Sequence, residues 1–400
     1  MINFYSNKKN TLPRFFYRNF LNTVKKDNLS DNDLVKLFDD LLNLANKSDY
    51  AKFTWHLPNY YKDFFDNSII VKLDKLLLTK RIKRSKKISK YVFPHVSDEF
   101  SLSKEFLSYS FDKDNFPKFN NKDTFFSIGS CFARNFTDYL KNKNIKASNF
   151  PQSEDLNSPG SNSILIEHIN KNDEELEKEL KEKINLFWKK ETSDFKDQLF
   201  ESKLSNINIL KESISKSNKI IITLGNTIDY YSKNSINEEI APKFIALSLS
   251  EEINEKSKSH KIMTDAGAYI RMSNFLETKQ YIHNIYRSLR KFSSKTEIIF
   301  TVSPVPIDAV IGIKEKLSLN AIEIDCVSKS TLRVALNEFL SSEGSLKDNF
   351  LYYLPSYEIV RWIAPLTGIP VFGKEDASSR HVSNIILNAA CDFIYSQTDQ

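Results

Sequence analysis

The sequence predicts a three-layer α/β fold in which helices cover both faces of a parallel sheet. Short apolar runs without polar alternation recur along the chain, which is typical of strands that are buried on both faces. They lie at residues 124–128, 219–224 and 296–302, and residues 145–150 can form a further strand. Apolar residues at helical spacing separate or follow these runs, at residues 133–141, 275–292, 328–340 and 384–395. The alternation of strand and helix indicates a doubly wound sheet.

The first 95 residues differ from this pattern. We predict that residues 1–95 form a mostly helical extension of unknown role and that residues 96–400 form the α/β domain. Ser30 and the acidic residues after it precede leucines at helical spacing, as at the start of an amphipathic helix. Within the α/β domain, residues 172–190 are interpreted as a charged surface helix, and the polar residues 232–260 as a long excursion over the active face.

The composition does not favour a nucleic-acid or metal partner. The 57 basic and 51 acidic residues leave a formal charge of only +6 over 400 residues, so no nucleic-acid partner is expected. The six histidines are scattered without the spacing of metal ligands, and we expect no metal or organic cofactor. Much of the basic surplus lies at residues 80–87, which fits either a solvated linker or a patch for an anionic lipid or polymer.

The lack of a recognisable sorting signal and the pattern of cysteines predict a cytoplasmic protein. The N-terminus lacks the apolar stretch of a signal peptide, and no apolar run is long enough for a membrane-spanning helix. Cys131, Cys326 and Cys391 form an odd set without metal-binding spacing, which fits a reducing compartment. We therefore expect no transmembrane segment and at most a peripheral membrane contact through residues 80–87.

A candidate nucleophile follows the first predicted strand. Gly129 turns the chain and Ser130 begins the next helix, so the serine hydroxyl would stand at the carboxyl edge of the sheet, beside helix N–H groups that can stabilise an oxyanion. A serine in this position is also a common helix N-cap, and geometry alone leaves both interpretations open. Cys131 is a weaker alternative nucleophile, because its side chain should point away from Ser130 on the helix.

The segment Gly129-Ser130-Cys131-Phe132-Ala133 is the signature of the GSCFA family, which the chain resembles over roughly residues 122–396. Further blocks follow in the family's order, at residues 159–161, 223–225, 301–306, 328–333, 354–360 and 380–383. The family is similar to the SGNH (GDSL-like) hydrolases, which implies a flavodoxin-like parallel sheet in three layers. Its members are thought to act on acylated carbohydrates, and many lie near polysaccharide biosynthesis.

The resemblance implies roles for residues in three of these regions. Ser130 would be the nucleophile, and its backbone N–H would contribute to the oxyanion hole. Asn226 would donate its side-chain amide to the oxyanion, although the SGNH pattern places this asparagine one residue further along; a turn asparagine at a strand end is the alternative. Gly160 is the candidate for the remaining backbone donor.

His381 would be the general base that takes the proton from Ser130 and returns it to the leaving group. SGNH proteins usually carry the orienting aspartate three residues before the histidine, where this chain has Ser378, whereas Asp376 lies five residues before. Either Asp376 still reaches the ring in a longer loop, or the site is a Ser–His dyad, or it is degenerate. Lys329 and Arg333 are interpreted as structural or solvated residues of a helix.

We therefore expect a serine-dependent O-acyl esterase or O-acyltransferase that acts on an acylated sugar or polysaccharide through an acyl-enzyme. The catalytic residues would be Ser130, His381 and Asp376, and the oxyanion hole would be formed by Ser130, Asn226 and Gly160. The alternative is a catalytically degenerate SGNH-like module that binds glycan or serves as a scaffold in polysaccharide biosynthesis.

Overall fold

The structure is a computed structural model. It describes residues 30, 32–33, 35–36, 39, 71–72, 75, 111, 116–129, 131–151, 156–233, 238–240, 243–246, 255–307, 319–344, 348–367, 369–375, 377–378 and 380–396. The chain divides into two compact units, residues 1–101 with 366–368 and residues 102–365 with 369–400, and the α/β fold belongs to the second. The boundary predicted at residue 96 stays a prediction.

The predicted N-terminal extension lies largely outside the described residues, as does the basic stretch at residues 80–87. Its few described positions at 32–33, 35–36, 39, 71–72 and 75 are helical. Ser30 Oγ accepts a hydrogen bond from Asp33 N at 3.3 Å, which is the contact expected of a residue that caps a helix N-terminus.

A five-stranded parallel sheet forms the centre of the second unit. Its strands are β1 (Thr124–Gly129), β2 (Lys146–Pro151), β3 (Lys219–Leu224), β7 (Glu297–Val302) and β8 (Leu351–Leu354). They lie in the order β2-β1-β3-β7-β8, and every neighbouring pair is parallel. In consecutive numbering of these five strands the order is 2-1-3-4-5, which is that of the flavodoxin-like sheets. The fold class predicted from the sequence is confirmed.

Eight longer helices accompany the strands in the described part of the chain. They are α1 (Cys131–Asn142), α2 (Pro159–Glu167), α3 (Asp173–Phe187), α4 (Ser193–Ser215), α5 (Glu255–Asp265), α6 (Phe275–Phe292), α7 (Ala321–Phe339) and α8 (Asn384–Tyr395). Short helical stretches lie at His168–Asn170, Lys243–Ala246 and Leu340–Gly344. The helical segment after β8 combines Ser356–Glu358, Ile359–Ile363 and Ala364–Thr367.

The central strands are buried on both faces because successive side chains point to opposite sides. Ile220, Ile222 and Phe300 belong to a core with apolar residues of α2, α3, α4, α6 and α7. Ile221 and Ile299 belong to a second core with residues of α1, α8 and the helical segment after β8. This arrangement explains why the strand sequences show continuous apolar runs rather than alternation.

The polar stretch at residues 232–260 contains regular structure, including the strand Glu238–Ile240, the short helix Lys243–Ala246 and the first half of α5. Strands β4 (Ile228–Lys233), β5 (Glu238–Ile240) and β6 (Ala268–Met272) form an antiparallel sheet in the order β5-β4-β6. Tyr230 on β4 and its partner Ile270 on β6 are buried on one face of this small sheet, and Tyr231 is buried on the other. The position of residues 232–260 over the active face stays a prediction.

Candidate active site

The strands of the main sheet end level with one another. Gly129 lies opposite Pro151, Leu224 opposite Val302, and Thr301 opposite Leu354. The loops that follow β1, β3, β7 and β8 therefore meet at one edge. The direction of winding reverses between β1 and β3, and ligands of doubly wound sheets bind at such a switch point. This edge is the candidate active site.

The turn after β1 requires glycine at position 129. Gly129 has φ +144°, and a Cβ there would lie 2.6 Å from the Thr223 Cβ on β3. Ser130, the predicted nucleophile, lies outside the described residues, but both of its neighbours are described. Gly129 ends β1 and Cys131 begins α1, which is the strand–turn–helix context that the sequence predicts for the serine.

Hydroxyl groups fasten α1 to β1 directly behind this turn. The Ser127 Oγ on β1 lies 2.6 Å from the Thr137 Oγ1 on α1. Thr137 Oγ1 also lies 2.9 Å from the Ala133 carbonyl oxygen, to which it donates. Both side chains are buried, where hydrogen bonds are costly to leave unmade. The relative position of β1 and α1, and with it the ends of the intervening turn, is therefore fixed.

The structure brings the Gly160 and Asn226 regions together. The Asn157 carbonyl oxygen accepts hydrogen bonds from Gly225 N at 2.7 Å and from Asn226 N at 3.2 Å. A Cβ on Gly225 would lie 2.9 Å from that same oxygen, so the close approach depends on glycine. Gly160, two residues into the buried first turn of α2, carries one of the backbone N–H groups that a helix leaves unpaired.

Asn226 makes the contact expected of a turn asparagine and leaves its Nδ2 directed away from that contact. Its Oδ1 accepts a hydrogen bond from Ile228 N at 2.8 Å, which is the contact of a turn asparagine. This contact fixes the plane of the side-chain amide. None of the described residues accepts a hydrogen bond from its Nδ2, so a ligand at the carboxyl edge can be the acceptor.

A buried carboxylate that the sequence analysis does not identify holds the start of α2. Asp229 Oδ1 accepts hydrogen bonds from Ser158 Oγ at 2.6 Å and from Ser161 Oγ at 2.7 Å. Ser158 is the N-cap of α2, since its Oγ accepts from Ser161 N at 3.1 Å. A negative charge at a helix N-terminus is favourable, and here it links the small sheet to the helix that carries Gly160. An aspartate between Ile228 and Tyr230 in β4 is the sequence signal that could have revealed it.

Helix α7 supports the loop after β3. Ser328 Oγ accepts a hydrogen bond from Thr227 N at 2.9 Å, and Lys329 Nζ donates to the Gly225 carbonyl oxygen. Lys329 is buried, and this desolvation lowers its pKa from the usual 10.5 to about 7. Asp325 raises the pKa and Arg361 lowers it further. Of the two predictions for Lys329, the structural role fits this contact, whereas a solvent-exposed side chain does not.

His381 lies at the base of a closed loop with its side chain exposed to solvent. Its carbonyl oxygen accepts from Gly373 N at 2.9 Å, and its own N–H donates to the Ser378 carbonyl oxygen at 3.3 Å. Gly373 and Ala377 occupy the left-handed region, with φ +70° and +58°. Phe372 and Val382 form an antiparallel bridge that closes the loop. Asp376, the predicted orienting residue, lies within this loop but outside the described residues.

The loop of His381 packs beside the carboxyl edge of β7. Phe372 in the loop has its ring centroid 5.4 Å from the guanidinium carbon of Arg361. Arg361 Nε donates to the Pro304 carbonyl oxygen at 2.6 Å, and Pro304 follows β7. Val382 and Val305 share the same apolar core. The histidine loop is thus anchored to the same edge as the loops after β1 and β3.

Two other groups bear on the chemistry. Glu375 Oε1 accepts a hydrogen bond from Asn384 N at 3.2 Å, so this carboxylate caps the start of α8. Cys131, the alternative nucleophile, is half-buried at the start of α1, and its Sγ lies 3.8 Å from Arg134 Nη2. Within the described residues, no group of three or more His, Cys, Asp or Glu side chains could hold a metal ion.

The parallel sheet and its strand order define an α/β domain of the flavodoxin-like class, with the candidate site at the switch point. The GSCFA family model matches residues 124–389, about two thirds of the chain, and the protein therefore belongs to the GSCFA family. The matched region is a hydrolase-type domain similar to the GDSL/SGNH hydrolases.

Searches of curated proteins and of solved structures found no match. In the described part of the chain, no helix has the length and apolar character needed to cross a membrane.

Proposed function

We propose that the protein is a serine-dependent O-acyl esterase or O-acyltransferase that acts on an acylated sugar or polysaccharide through an acyl-enzyme. The observation that carries the proposal is the pair of hydrogen bonds from Gly225 N and Asn226 N to the Asn157 carbonyl oxygen. These bonds join the loop of Asn226 to Asn157, three residues before Gly160 in the first turn of α2, and so support the proposal that Asn226 and Gly160 serve as oxyanion donors at one site.

The proposed reaction has two steps. The Ser130 Oγ attacks the ester carbonyl carbon while His381 takes the hydroxyl proton, and the resulting oxyanion is stabilised by Asn226 Nδ2 and the backbone N–H groups of Ser130 and Gly160. The bond from the carbonyl carbon to the sugar oxygen then breaks, and His381 protonates that oxygen. Water or a second sugar hydroxyl then attacks the acyl-enzyme with His381 again as base. The bond from the carbonyl carbon to Ser130 Oγ breaks, His381 returns the proton to Ser130, and a free acid or a new ester is released.

Asp376 is proposed to orient the His381 ring as the third member of a triad. The neighbouring carboxylate of Glu375 is already hydrogen-bonded to the start of α8, which leaves Asp376 as the candidate in this loop. The left-handed residues Gly373 and Ala377 make the loop more compact than an extended segment of the same length. This compactness supports a contact between His381 and an aspartate five residues before it. A Ser–His dyad is the competing arrangement.

A glycan-binding module without catalysis is the second candidate. The turn contact of Asn226 Oδ1 favours it, because an asparagine that only shapes a turn would form the same bond. The unusual spacing of Asp376 and His381 favours it as well. In this case the carboxyl edge would bind sugar without an activated serine.

Location and membrane contact remain proposals. We propose a cytoplasmic protein that contacts anionic membrane surfaces through the basic residues 80–87. Sedimentation with vesicles that contain or lack an anionic lipid tests the contact. A variant in which glutamine replaces the lysines and arginines of this stretch is compared with the native protein. Binding that is independent of lipid charge or unchanged in the variant contradicts it. Cell fractionation tests the location.

Labelling with a serine-reactive fluorophosphonate probe, detected by intact mass, tests the proposed function. The native protein should gain one adduct, and Ser130→Ala and His381→Ala should gain none, whereas Cys131→Ser should label like the native protein. Asp376→Asn should label roughly 10³–10⁴-fold more slowly if it completes a triad and at a nearly unchanged rate if the site is a dyad. An inert native protein, beside a reactive control esterase, refutes the esterase proposal and directs the work to glycan-binding assays.

A further inference from the structure

The peptide group between Gly225 and Asn226 is held from both sides. Its carbonyl oxygen accepts from Lys329 Nζ, and its N–H donates to the Asn157 carbonyl oxygen at 3.2 Å. One residue further on, Thr227 N donates to Ser328 Oγ at 2.9 Å. The Asn226 side chain is fixed in turn by its bond to Ile228 N. The direction of Asn226 Nδ2 therefore depends on this set of contacts.

Burial of a lysine side chain at position 329 costs free energy. Its side chain is buried on α7. An ammonium group loses its favourable hydration there, whereas an aliphatic side chain would carry no such desolvation penalty. Asp325, Ser328 and Lys329 lie on one face of the helix, since residues three and four apart are neighbours. Asp325 accepts from Ile307 N at 2.9 Å and from Arg361 Nη2 at 2.8 Å. This face thus reaches the loops after both β3 and β7.

We propose that Lys329 is a positioning residue that orients Asn226 as an oxyanion donor by clamping the Gly225–Asn226 peptide group. Lys329 is buried and its Nζ contacts the Gly225 carbonyl oxygen, so it would act through the loop. The inference rests on the proposed function, because an oxyanion role for Asn226 gives the clamp its purpose. Ser328 completes the support by fixing Thr227.

The charge state of Lys329 gives this role a distinct signature. Its pKa is lowered to about 7 by burial, with Asp325 on the same helix opposing the shift and Arg361 from Ile359–Ile363 adding to it. The clamped loop itself carries no charged side chain between Gly225 and Ile228. A charged donor makes a stronger hydrogen bond than a neutral one. The clamp should therefore weaken as the pH rises through about 7.

One pair of isotope labels isolates the clamped peptide. Gly225–Asn226 is the sole Gly–Asn pair in the sequence, so a protein made with carbonyl-¹³C glycine and ¹⁵N asparagine gives a single cross-peak that correlates this carbonyl with this N–H. We expect the cross-peak of the full-length protein to shift between about pH 5.5 and 9 with a midpoint near 7. In Lys329→Met and in Lys329→Gln the shift should be absent.

The kinetic readout uses the fluorophosphonate labelling rate of each variant relative to the native protein. Lys329→Met should label roughly 10-fold more slowly at pH 6, the effect typical of a lost supporting contact, and within about 2-fold of the native rate at pH 9, because the native Lys329 is then largely uncharged. The ratio removes the pH dependence that both proteins share. Arg333→Met, one turn along α7 and paired with Glu358, is the matched control and should show no such pH-dependent ratio.

Failure of this inference can be told apart from failure of the proposed function. A native protein that is inert to the probe refutes the catalytic proposal, while the cross-peak still reports on the clamp because it needs no activity. A cross-peak that does not move in the native protein, or that moves equally in Lys329→Met, overturns the clamp. A labelling ratio that is the same at pH 6 and pH 9 overturns the positioning role even if the serine is reactive.

Discussion

Gly129 shows at the scale of one residue how a backbone requirement defines the site. It combines φ +144° with a contact so close that a Cβ would lie 2.6 Å from Thr223 Cβ, and the neighbouring strand cannot withdraw without breaking sheet pairing. Gly129→Ala should therefore lower the free energy of unfolding by at least ~3 kcal/mol, measured by urea unfolding.

Gly267 provides the matched control for this prediction. It also has a positive φ, +87°, but a Cβ there would meet no atom within 4 Å. Gly267→Ala should cost only the backbone strain, roughly 1–2 kcal/mol. Equal losses in the two variants would mean that packing against Thr223 is not the reason for glycine at position 129.

Lys329 makes the stability of the protein depend on pH. Its pKa is about 7 in the folded protein and near 10.5 when solvated, so between these values the unfolded chain binds more protons. The cost of burying the charge is fully present below pH 7 and is relieved as the pH rises towards 10.5. The free energy of unfolding of the native protein, minus that of Lys329→Met, should rise by up to ~1.4 kcal/mol per pH unit in this window. Urea unfolding at several pH values measures it, and a constant or falling difference contradicts the assignment.

Individual side chains were predictable from the sequence only where a local pattern identifies them. The turn at Gly129 and the turn role of Asn226 follow from their place at strand ends. Lys329 was understood only in part, because its burial depends on the loop after β3, which is distant along the chain. Its place three residues before the buried Leu332 is the one local sign that it lies on an inward face.

At the scale of the element, the N-terminus of α2 depends on a residue from another sheet. Asp229 is buried and accepts hydrogen bonds from both Ser158 and Ser161. Asp229→Ala should leave these hydroxyls without their acceptor and lower the free energy of unfolding by roughly 3 kcal/mol. Urea unfolding provides the measurement.

Asp173 is the control for Asp229. It lies in the first turn of the neighbouring helix α3 and pairs with Lys211 at 3.6 Å, but its side chain is 87% exposed. Asp173→Ala should change the free energy of unfolding by less than about 0.5 kcal/mol. If the two variants lose similar stability, the effect comes from charge at helix ends in general and not from the buried contacts of Asp229.

Helix boundaries were predictable where caps and amphipathic spacing agree. Helix α6 occupies the predicted residues 275–292, and its N-cap Asn274 forms a capping box with Glu277. Helix α7 begins at Ala321 rather than at residue 328, although Asn320 and Glu323 form a capping box there. Its first turns expose Ile322 and Val327, which interrupts the amphipathic pattern. Neither α4 nor β8 was predicted from the sequence, although Leu354 at the end of β8 begins one of the family blocks.

For the whole molecule, the apolar runs predicted the layers, the family resemblance implied the flavodoxin-like sheet, and the small antiparallel sheet was not predicted. Continuous apolar runs such as residues 219–224 indicate burial on two faces wherever the strand lies in the sheet. Strand order and the small antiparallel sheet depend on contacts between distant segments, for instance β4 with β6. The site was partly predictable because every strand of a parallel sheet delivers its carboxyl end to the same edge.

The two edges of the main sheet should therefore respond differently to substitution. At the amino edge, the buried Lys219 lies 2.5 Å from Glu297 and 3.6 Å from Asp123. Lys219→Met leaves these carboxylates without their cation, so it should lower the free energy of unfolding by roughly 3–5 kcal/mol. The fluorophosphonate labelling rate of the folded variant should stay within about 2-fold of the native rate, since the change lies a full strand length from the carboxyl edge.

At the carboxyl edge, Asn226→Asp should have the opposite effects, with little change in stability and slower labelling. Aspartate keeps an oxygen that can accept from Ile228 N, so the turn and the free energy of unfolding should change little. It replaces the Nδ2 donor by an acceptor, so labelling should slow by roughly 10²–10³-fold, the usual effect of losing one oxyanion donor. Urea unfolding and labelling rates on the same two variants give the comparison. If Lys219→Met slowed labelling as much as Asn226→Asp, or Asn226→Asp labelled normally, the chemistry would not be confined to the edge where β1 and β3 end.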